Sequence, residues 1–135
     1  MQHKNQEGFT LIELILTTVV LATTMLAIFG LFITLSQINA RANSLTIATQ
    51  VAQRELELYR NLHYNAVNVG TEDHTASAGL AGYTALGSPK SVIAVVTLTD
   101  PNGLKTVDIT VNYADRGIAK KVRVTTYVAL NGINK

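Results

Sequence analysis

The sequence has no cysteine, two prolines and few charged side chains. The absence of cysteine excludes disulfide bonds, thiolate zinc sites and cysteine nucleophiles. It leaves the compartment open, because an exported domain needs no disulfides when its core is sufficient. Charged residues make up 15% of the 135 residues and the formal net charge is +2, which is too small to indicate a nucleic-acid partner by itself.

Charge is missing altogether from one segment, since residues 14–40 carry no charged side chain. Residues 9–33 are rich in leucine, isoleucine, valine and alanine and contain no proline. A helix of about 20 residues, rising about 1.5 Å per residue, can cross the hydrocarbon core of a bilayer. The run therefore predicts a transmembrane helix, and it is too long for the apolar core of a conventional cleaved signal peptide. Its threonines are compatible with this, because a helical hydroxyl can bond the carbonyl one turn earlier.

The helix is predicted to continue beyond the apolar segment, because no glycine or proline occurs between Leu31 and Leu62. Within residues 41–62, apolar side chains recur every three or four positions. They are Leu45, Ala48, Ala52, Leu56, Tyr59 and Leu62. We expect one helix of roughly fifty residues, half membrane anchor and half packing spine, which explains a length far above the globular mean.

The remainder of the chain predicts loop and strand. Residues 65–89 are rich in glycine, alanine, serine and threonine, which indicates a loop with one short strand near residues 83–86. Three strands follow, at residues 91–99, 104–113 and 120–130, separated by two turn sequences.

Alternation along these strands predicts a sheet with one apolar face. The inward side chains are Val107, Ile109, Val111 and Tyr113 in the second strand, and Val122, Val124, Thr126, Val128 and Leu130 in the third. Such a face must be covered, and the apolar stripe of the helix is large enough to cover it. The predicted fold class is α+β: a long N-terminal helix packed on a small antiparallel β-sheet.

Glu13 is an acidic residue within the apolar run. A carboxylate without a partner in hydrocarbon costs several kcal/mol. Glu13 lies about four residues, or roughly 6 Å, into the helix. It is therefore either close enough to the headgroups to stay hydrated, or it pairs with another group. The spacing alone leaves both interpretations open.

The residues around Glu13 read Gly8-Phe9-Thr10-Leu11-Ile12-Glu13-Leu14. This segment resembles the prepilin cleavage and methylation motif of type IV pilins and pseudopilins. The resemblance implies that prepilin peptidase cuts between Gly8 and Phe9 on the cytoplasmic side and methylates the new N-terminus at Phe9. It further implies that Glu13 is an assembly residue, pairing with the free amine of a neighbouring subunit.

The resemblance also implies a domain plan, a set of partners and a location. The plan is a leader at residues 1–8, a transmembrane and filament-core helix at 9–40, and a globular domain at 41–135 made of helix 41–63, loop 64–90 and sheet 91–130. The partners are other pilin subunits, the peptidase, an inner-membrane assembly platform, and membrane lipid before assembly. The precursor is expected to cross the membrane once, with its globular domain outside the cytoplasm, and then to join a cell-surface or periplasmic filament.

Two further features refine the expected function. Where this family often carries a proline that kinks the helix, the sequence has Gly30, which could permit local unwinding.

Residues 48–57 resemble minor pilins and minor pseudopilins, which suggests a minor structural subunit of a type IV pilus. The alternatives are a pseudopilin of a type II secretion or competence system, and a membrane-tethered binding domain that never polymerises.

Other candidate sites are better explained by ordinary surface chemistry. His63 and His74, with Glu72 and Asp73, lack the fixed spacing of a metal site. The calcium candidates Asp100, Asn102, Asp108 and Asp115 are typical of turns and lack the spacing of a calcium loop.

The cations Lys120, Lys121 and Arg123 could bind DNA but suit a hydrated strand face better. Glu55 and Glu57 are two apart on a helix and do not face each other. We therefore expect no metal, no cofactor and no enzymatic activity.

Overall fold

The structure is a computed structural model that describes residues 9–100 and 103–130. One α-helix, α1, covers Leu11–Asn61 and has 51 residues. This confirms the single long helix expected from the sequence. The chain divides into two compact units, Met1–Asn39 and Ala40–Lys135, each of which is described separately below.

The described part of the first unit is helix from Leu11 onwards, and its large apolar side chains are exposed. The threonine hydroxyls donate to backbone carbonyls of the preceding helical turn, as expected from the sequence. Thr17 Oγ1 donates to the Leu14 carbonyl at 2.9 Å, and Thr24 Oγ1 donates to the Val20 carbonyl at 2.7 Å. These hydroxyls are thereby satisfied inside the helix, which makes them compatible with an apolar surrounding.

The second unit contains four strands: β1 at Gly70–Asp73, β2 at Gly87–Asp100, β3 at Leu104–Asp115 and β4 at Ile118–Ala129. They form one antiparallel sheet in the order β1-β2-β3-β4. Two short 3₁₀ helices, Tyr64–Ala66 and Leu80–Gly82, lie in the connections before β1 and β2. The α+β fold predicted from the sequence is therefore correct.

One strand assignment was wrong. Residues 83–86 form a turn rather than a strand, and the short strand is β1, which pairs with residues 93–96 of β2. All four β1 residues are exposed, so this edge strand has no apolar alternation that the sequence could reveal. β2 also begins earlier than predicted, at Gly87.

The core of this unit lies between the sheet and residues 44–59 of α1. Its sheet side is formed by fully buried residues of the two central strands, namely Val92, Ala94, Val96, Val107, Ile109 and Val111. Its helix side consists of Ala48, Val51, Ala52, Leu56 and Tyr59. The alternation predicted for β3 is confirmed, because every second residue from Lys105 to Tyr113 is buried.

The helix face predicted to be buried within residues 41–62 was partly wrong. Leu45 and Leu62 are exposed, whereas Val51 and Glu55 are buried. The buried face is therefore rotated slightly from the one that apolar spacing alone predicted, and it includes a carboxylate. Of the inward residues predicted for β4, Val122, Val124, Thr126 and Val128 are only partly buried, because β4 is an edge strand. Leu130 is exposed and lies beyond the end of β4, so its inward assignment was wrong.

The hairpin between β3 and β4 turns through two residues, Arg116 and Gly117, whose φ angles are 52° and 79°. Positive φ at both positions is the geometry of a type I′ turn, which favours Asn-Gly. Arg116 is the one non-glycine residue with positive φ in the described parts of the chain.

Replacing Arg116 with asparagine should raise the free energy of unfolding by about 0.5–1 kcal/mol, because asparagine tolerates the left-handed region better than arginine. Denaturant unfolding of the detergent-solubilised chain measures this. Arg116→Lys is the matched control and should be neutral, since it keeps both the charge and the unfavourable backbone. Equal or lower stability of the asparagine variant would contradict the assignment of strain to this turn.

Candidate functional site

The N-terminus of α1 is capped by Thr10. Its Oγ1 accepts a hydrogen bond from the backbone N–H of Glu13 at 3.3 Å. The four-residue spacing Thr10-Leu11-Ile12-Glu13 is that of a capping box, a signal that the sequence carries and that the sequence analysis did not use. Glu13 lies in the first helical turn, where the helix dipole favours a negative charge.

Phe9 and Glu13 are both exposed, and so are the apolar side chains of the residues that follow. The backbone at residue 9 is therefore four positions from a carboxylate on an open apolar surface. Gly8 and the rest of residues 1–8 lie outside the described residues, so the position of cleavage remains a prediction.

The apolar part of α1 is long enough and apolar enough to cross a membrane, and its most apolar window is entirely unburied. The core helix of a soluble domain can pass the same test of length and composition, but such a helix is mostly buried, whereas this window is not. Leu11–Asn61 is the one helix of this kind in the described ranges.

Gly30 lies within continuous helix. The Thr34 hydroxyl donates to the Gly30 carbonyl at 3.0 Å, and a β-carbon placed at Gly30 would meet nothing within 4 Å. No packing contact within the described chain therefore requires glycine there. The proposed role in helix flexibility remains a prediction.

A second group of polar residues lies in the other unit, around the buried carboxylate of Glu55, which is 1% exposed. Its Oε1 accepts from Arg54 Nη2 at 3.1 Å, and its Oε2 lies 3.2 Å from His74 Nδ1. On the other side of the imidazole, His74 Nε2 lies 3.0 Å from the Tyr59 hydroxyl, which donates to Glu72 Oε2 at 2.7 Å. These five residues form the Glu55 cluster.

The Glu55 cluster ties α1 to the β1–β2 connection. Arg54 Nη2 also donates to the Ala78 carbonyl at 2.6 Å, and the His74 and Tyr59 rings are 5.6 Å apart. The burial of Glu55 was not predicted from the sequence. Its spacing of three and four residues from Ala52 and Val51 could have placed it on the buried stripe.

Ionisation within the Glu55 cluster follows from these contacts. Burial, followed by the hydrogen bond to Glu72, raises the pKa of Tyr59 well above its ordinary value. The hydrogen bonds from Tyr59 and then His74 lower the pKa of Glu72. Because that pKa is lowered in the folded protein, the contribution of Glu72 to stability is present at neutral pH. It is lost as the pH falls through the folded-state pKa.

The contacts of Glu55 in this cluster are internal to the chain. Both oxygens of Glu55 are occupied by side chains of the chain itself, which leaves neither facing a substrate. Within the described residues, no group of three or more His, Cys, Asp or Glu side chains is arranged to hold a metal ion. His63 is exposed and is not part of the Glu55 cluster.

The calcium candidates are not brought together. Asp108 accepts from Arg123 at 3.1 and 2.6 Å and from the Thr125 hydroxyl, and these contacts lower the pKa of Asp108, with Arg123 the largest cause. Asp115 lies 3.5 Å from Arg41. The two carboxylates are seven residues apart on β3, about 20 Å along a strand. Asn102 lies outside the described residues.

The predicted basic cluster divides in two. Arg123 pairs with Asp108 across the two neighbouring strands, so its charge is matched. Lys120 and Lys121 instead line a pocket together with Arg41, which is distant in sequence. Sequence proximity had grouped Arg123 with the lysines, and it could not have identified Arg41.

The long exposed apolar helix and the small antiparallel sheet define a pilin-like α+β arrangement. Residues 3–29 match the family model described as the prokaryotic N-terminal methylation motif, the leader of type IV pilins and pseudopilins. No curated protein and no solved structure matches the chain. The chain therefore combines the N-terminal motif of type IV pilins and pseudopilins with a pilin-like α+β fold.

Proposed function

We propose that the chain is a minor structural subunit of a type IV pilus or a related filament, assembled through its N-terminal helix. The observation that carries this proposal is the apolar surface of α1, fully exposed and bearing a single carboxylate, Glu13, in its first turn. Such a surface needs lipid or other helices around it. The membrane surrounds this helix with lipid before assembly, and the filament surrounds it with the helices of other subunits afterwards.

Cleavage between Gly8 and Phe9 creates an α-amine that is positively charged at neutral pH. In an apolar filament core, this amine and the carboxylate of Glu13 on a neighbouring subunit attract each other strongly, whereas either charge alone is costly. A subunit docked at the wrong height leaves both charges unpaired. Glu13 therefore sets the register of assembly, and methylation at Phe9 leaves the positive charge in place.

Moving the subunit from membrane to filament removes a long apolar surface from lipid. The lost burial must be recovered against the helices of neighbouring subunits, at about 25 cal/mol per Å² of apolar area. The inner-membrane assembly platform performs this extraction, and Gly30 permits local unwinding as the helix changes its surroundings. A filament map with unbroken helix through Gly30 would contradict that last role.

The resemblance of residues 48–57 to minor pilins and minor pseudopilins supports the minor assignment. Four residues of this segment are core residues and one is the buried Glu55. A pseudopilin of a type II secretion or competence system has the same leader and the same helix, so it is the alternative within the filament class. Locating the labelled subunit on isolated filaments distinguishes a tip position from a shaft position.

Gly8→Arg should block leader removal and leave the precursor in the membrane, because the peptidase must fit the backbone closely at the cleaved bond. Gel mobility of the membrane-fraction protein, with and without the peptidase gene, measures this. Gln6→Arg adds the same charge two residues earlier and should be processed normally. If the parent protein has the same size with and without the peptidase gene, no cleavage occurs at this position and a non-polymerising membrane tether becomes the better account.

A further inference from the structure

A pocket of about 360 Å³ opens beside the end of β3, within the second unit. It is lined by residues from three elements: Arg41 and Leu45 of α1, Tyr113 and Asp115 of β3, and Ile118, Lys120 and Lys121 of β4. Both lysines also line an adjacent pocket of about 320 Å³. Three cationic residues thus line this pocket, and its lining carboxylate is Asp115.

The charges in this pocket are poorly matched. Asp115 is engaged by Arg41, whose Nε lies 3.5 Å from its Oδ2. Within the described residues, no ion pair involves Lys120, Lys121 or Arg116, the last of which lies in the turn that joins β3 to β4. Three cationic residues therefore line a pocket that holds one carboxylate, Arg116 follows that carboxylate in the turn, and an anionic partner would balance the excess positive charge.

Exposed apolar side chains accompany these cations. Leu45 and Ile118 are 52% and 56% exposed, and both line the pocket. Cations beside exposed aliphatic side chains are characteristic of surfaces that lie at a bilayer interface, where the charges meet phosphates and the aliphatic groups meet the acyl boundary.

One residue that lines this pocket, Arg41, directly follows the apolar segment in the sequence. Residues 14–40 carry no charge, and Arg41 is the first cation after them. At about 1.5 Å per residue, a helix that keeps the uncharged segment in hydrocarbon brings Arg41 to the headgroup layer. This step rests on the proposed membrane-anchored precursor.

The backbone at Arg116 is a second, independent observation. Asparagine or glycine would suit a φ of 52° better than arginine does, and strained residues of this kind concentrate at functional sites. A fourth cation held in a strained turn beside Asp115 suggests that the charge itself has a use.

We propose that Arg41, Arg116, Lys120 and Lys121, together with Leu45 and Ile118, form a surface that docks on anionic phospholipid headgroups where α1 leaves the membrane. This docking orients the globular domain of the precursor on the bilayer before assembly. The attraction is electrostatic, so it strengthens with the content of anionic lipid and weakens with salt.

The full chain in lipid nanodiscs provides the test. Because the sequence has no cysteine, Ala119→Cys places a single fluorescent donor beside the pocket, and Ala76→Cys places one in the β1–β2 connection as a reference position. The measurement is energy transfer to an acceptor on the lipid headgroups. It is made in phosphatidylcholine discs and in discs with phosphatidylglycerol, at low and high salt.

Transfer from position 119 should increase in phosphatidylglycerol discs and return to the phosphatidylcholine value at high salt. The triple variant Arg116→Asn, Lys120→Gln, Lys121→Gln should lose the increase. Arg60→Gln is the matched control, since it removes an exposed cation at the other end of this helical segment, and it should keep the increase. All three residues of the triple variant are exposed, so the fold should persist.

Equal transfer in the two kinds of disc, or an unchanged increase in the triple variant, overturns the proposal. So does displacement of the domain from phosphatidylglycerol by a short DNA duplex that binds the parent but not the triple variant, because the surface would then be one for nucleic acid. Insertion into discs is measured separately by co-purification. Failure of leader processing would contradict the filament proposal, but the energy-transfer measurement would still test whether the pocket docks on anionic lipid.

Discussion

Glu13→Ala should insert in the membrane and lose its leader normally, yet be incorporated into filaments about 100-fold less than the parent protein. An unpaired charge in an apolar core costs about 3–5 kcal/mol, and here the unpaired group is the neighbour's α-amine. Membrane insertion should not suffer, because alanine makes the helix more apolar. The measurement is the ratio of subunit in sheared filaments to subunit in membranes, with gel mobility reporting on cleavage.

Two variants sharpen this prediction. Glu13→Gln keeps the shape but not the charge, and it should also be incorporated poorly. Glu57→Ala removes an exposed carboxylate from the same helix, paired on the surface with Arg60 at 2.8 Å, and should be incorporated normally. Normal incorporation of Glu13→Ala would instead support the interpretation in which Glu13 stays hydrated near the headgroups and pairs with nothing.

Glu55→Ala should lower the free energy of unfolding by about 3 kcal/mol, because it removes a buried carboxylate and leaves Arg54 and His74 without their partner. It also opens a cavity between α1 and the sheet. Denaturant unfolding of the detergent-solubilised chain, followed by circular dichroism, measures the loss. The β1–β2 connection should open first, since the Glu55 cluster holds it against α1.

Glu57→Ala again serves as the comparison. Its carboxylate is exposed and its ion pair with Arg60 is a surface pair, so the loss should be under about 0.5 kcal/mol. Glu55→Gln keeps the shape and part of the hydrogen bonding, so its loss in free energy of unfolding should lie between those of Glu57→Ala and Glu55→Ala. Equal effects of the two alanine substitutions would show that burial of Glu55 contributes nothing to stability.

Much of the fold could be predicted because its signals are local and periodic. The long helix follows from an uninterrupted run without glycine or proline, and β3 follows from strict alternation of apolar residues. Strand β1 escaped prediction because Gly70, Thr71, Glu72 and Asp73 are all exposed, so pairing with β2 alone makes them a strand. Pairing of that kind depends on a partner that periodicity does not encode.

The candidate sites divide in the same way. The residues around Glu13 form a contiguous motif, so it could be recognised from the sequence alone. The burial of Glu55 was not predicted, and the structure places its carboxylate between Arg54 and His74. The pocket around Lys120 joins the β3–β4 hairpin to Arg41 and Leu45 of α1, which are far away in sequence, and tertiary structure alone brings them together.

The filament account requires that proteolysis expose an amino group able to meet the acidic side chain of the adjacent protomer. Intact-mass and tandem mass spectrometry of the native polypeptide, purified from membranes and from filaments, tests this most directly. The account predicts a chain that begins at Phe9 and carries one methyl group on its N-terminal nitrogen. A native chain that still begins at Met1 in both fractions would contradict it, since no α-amine would then exist at Phe9.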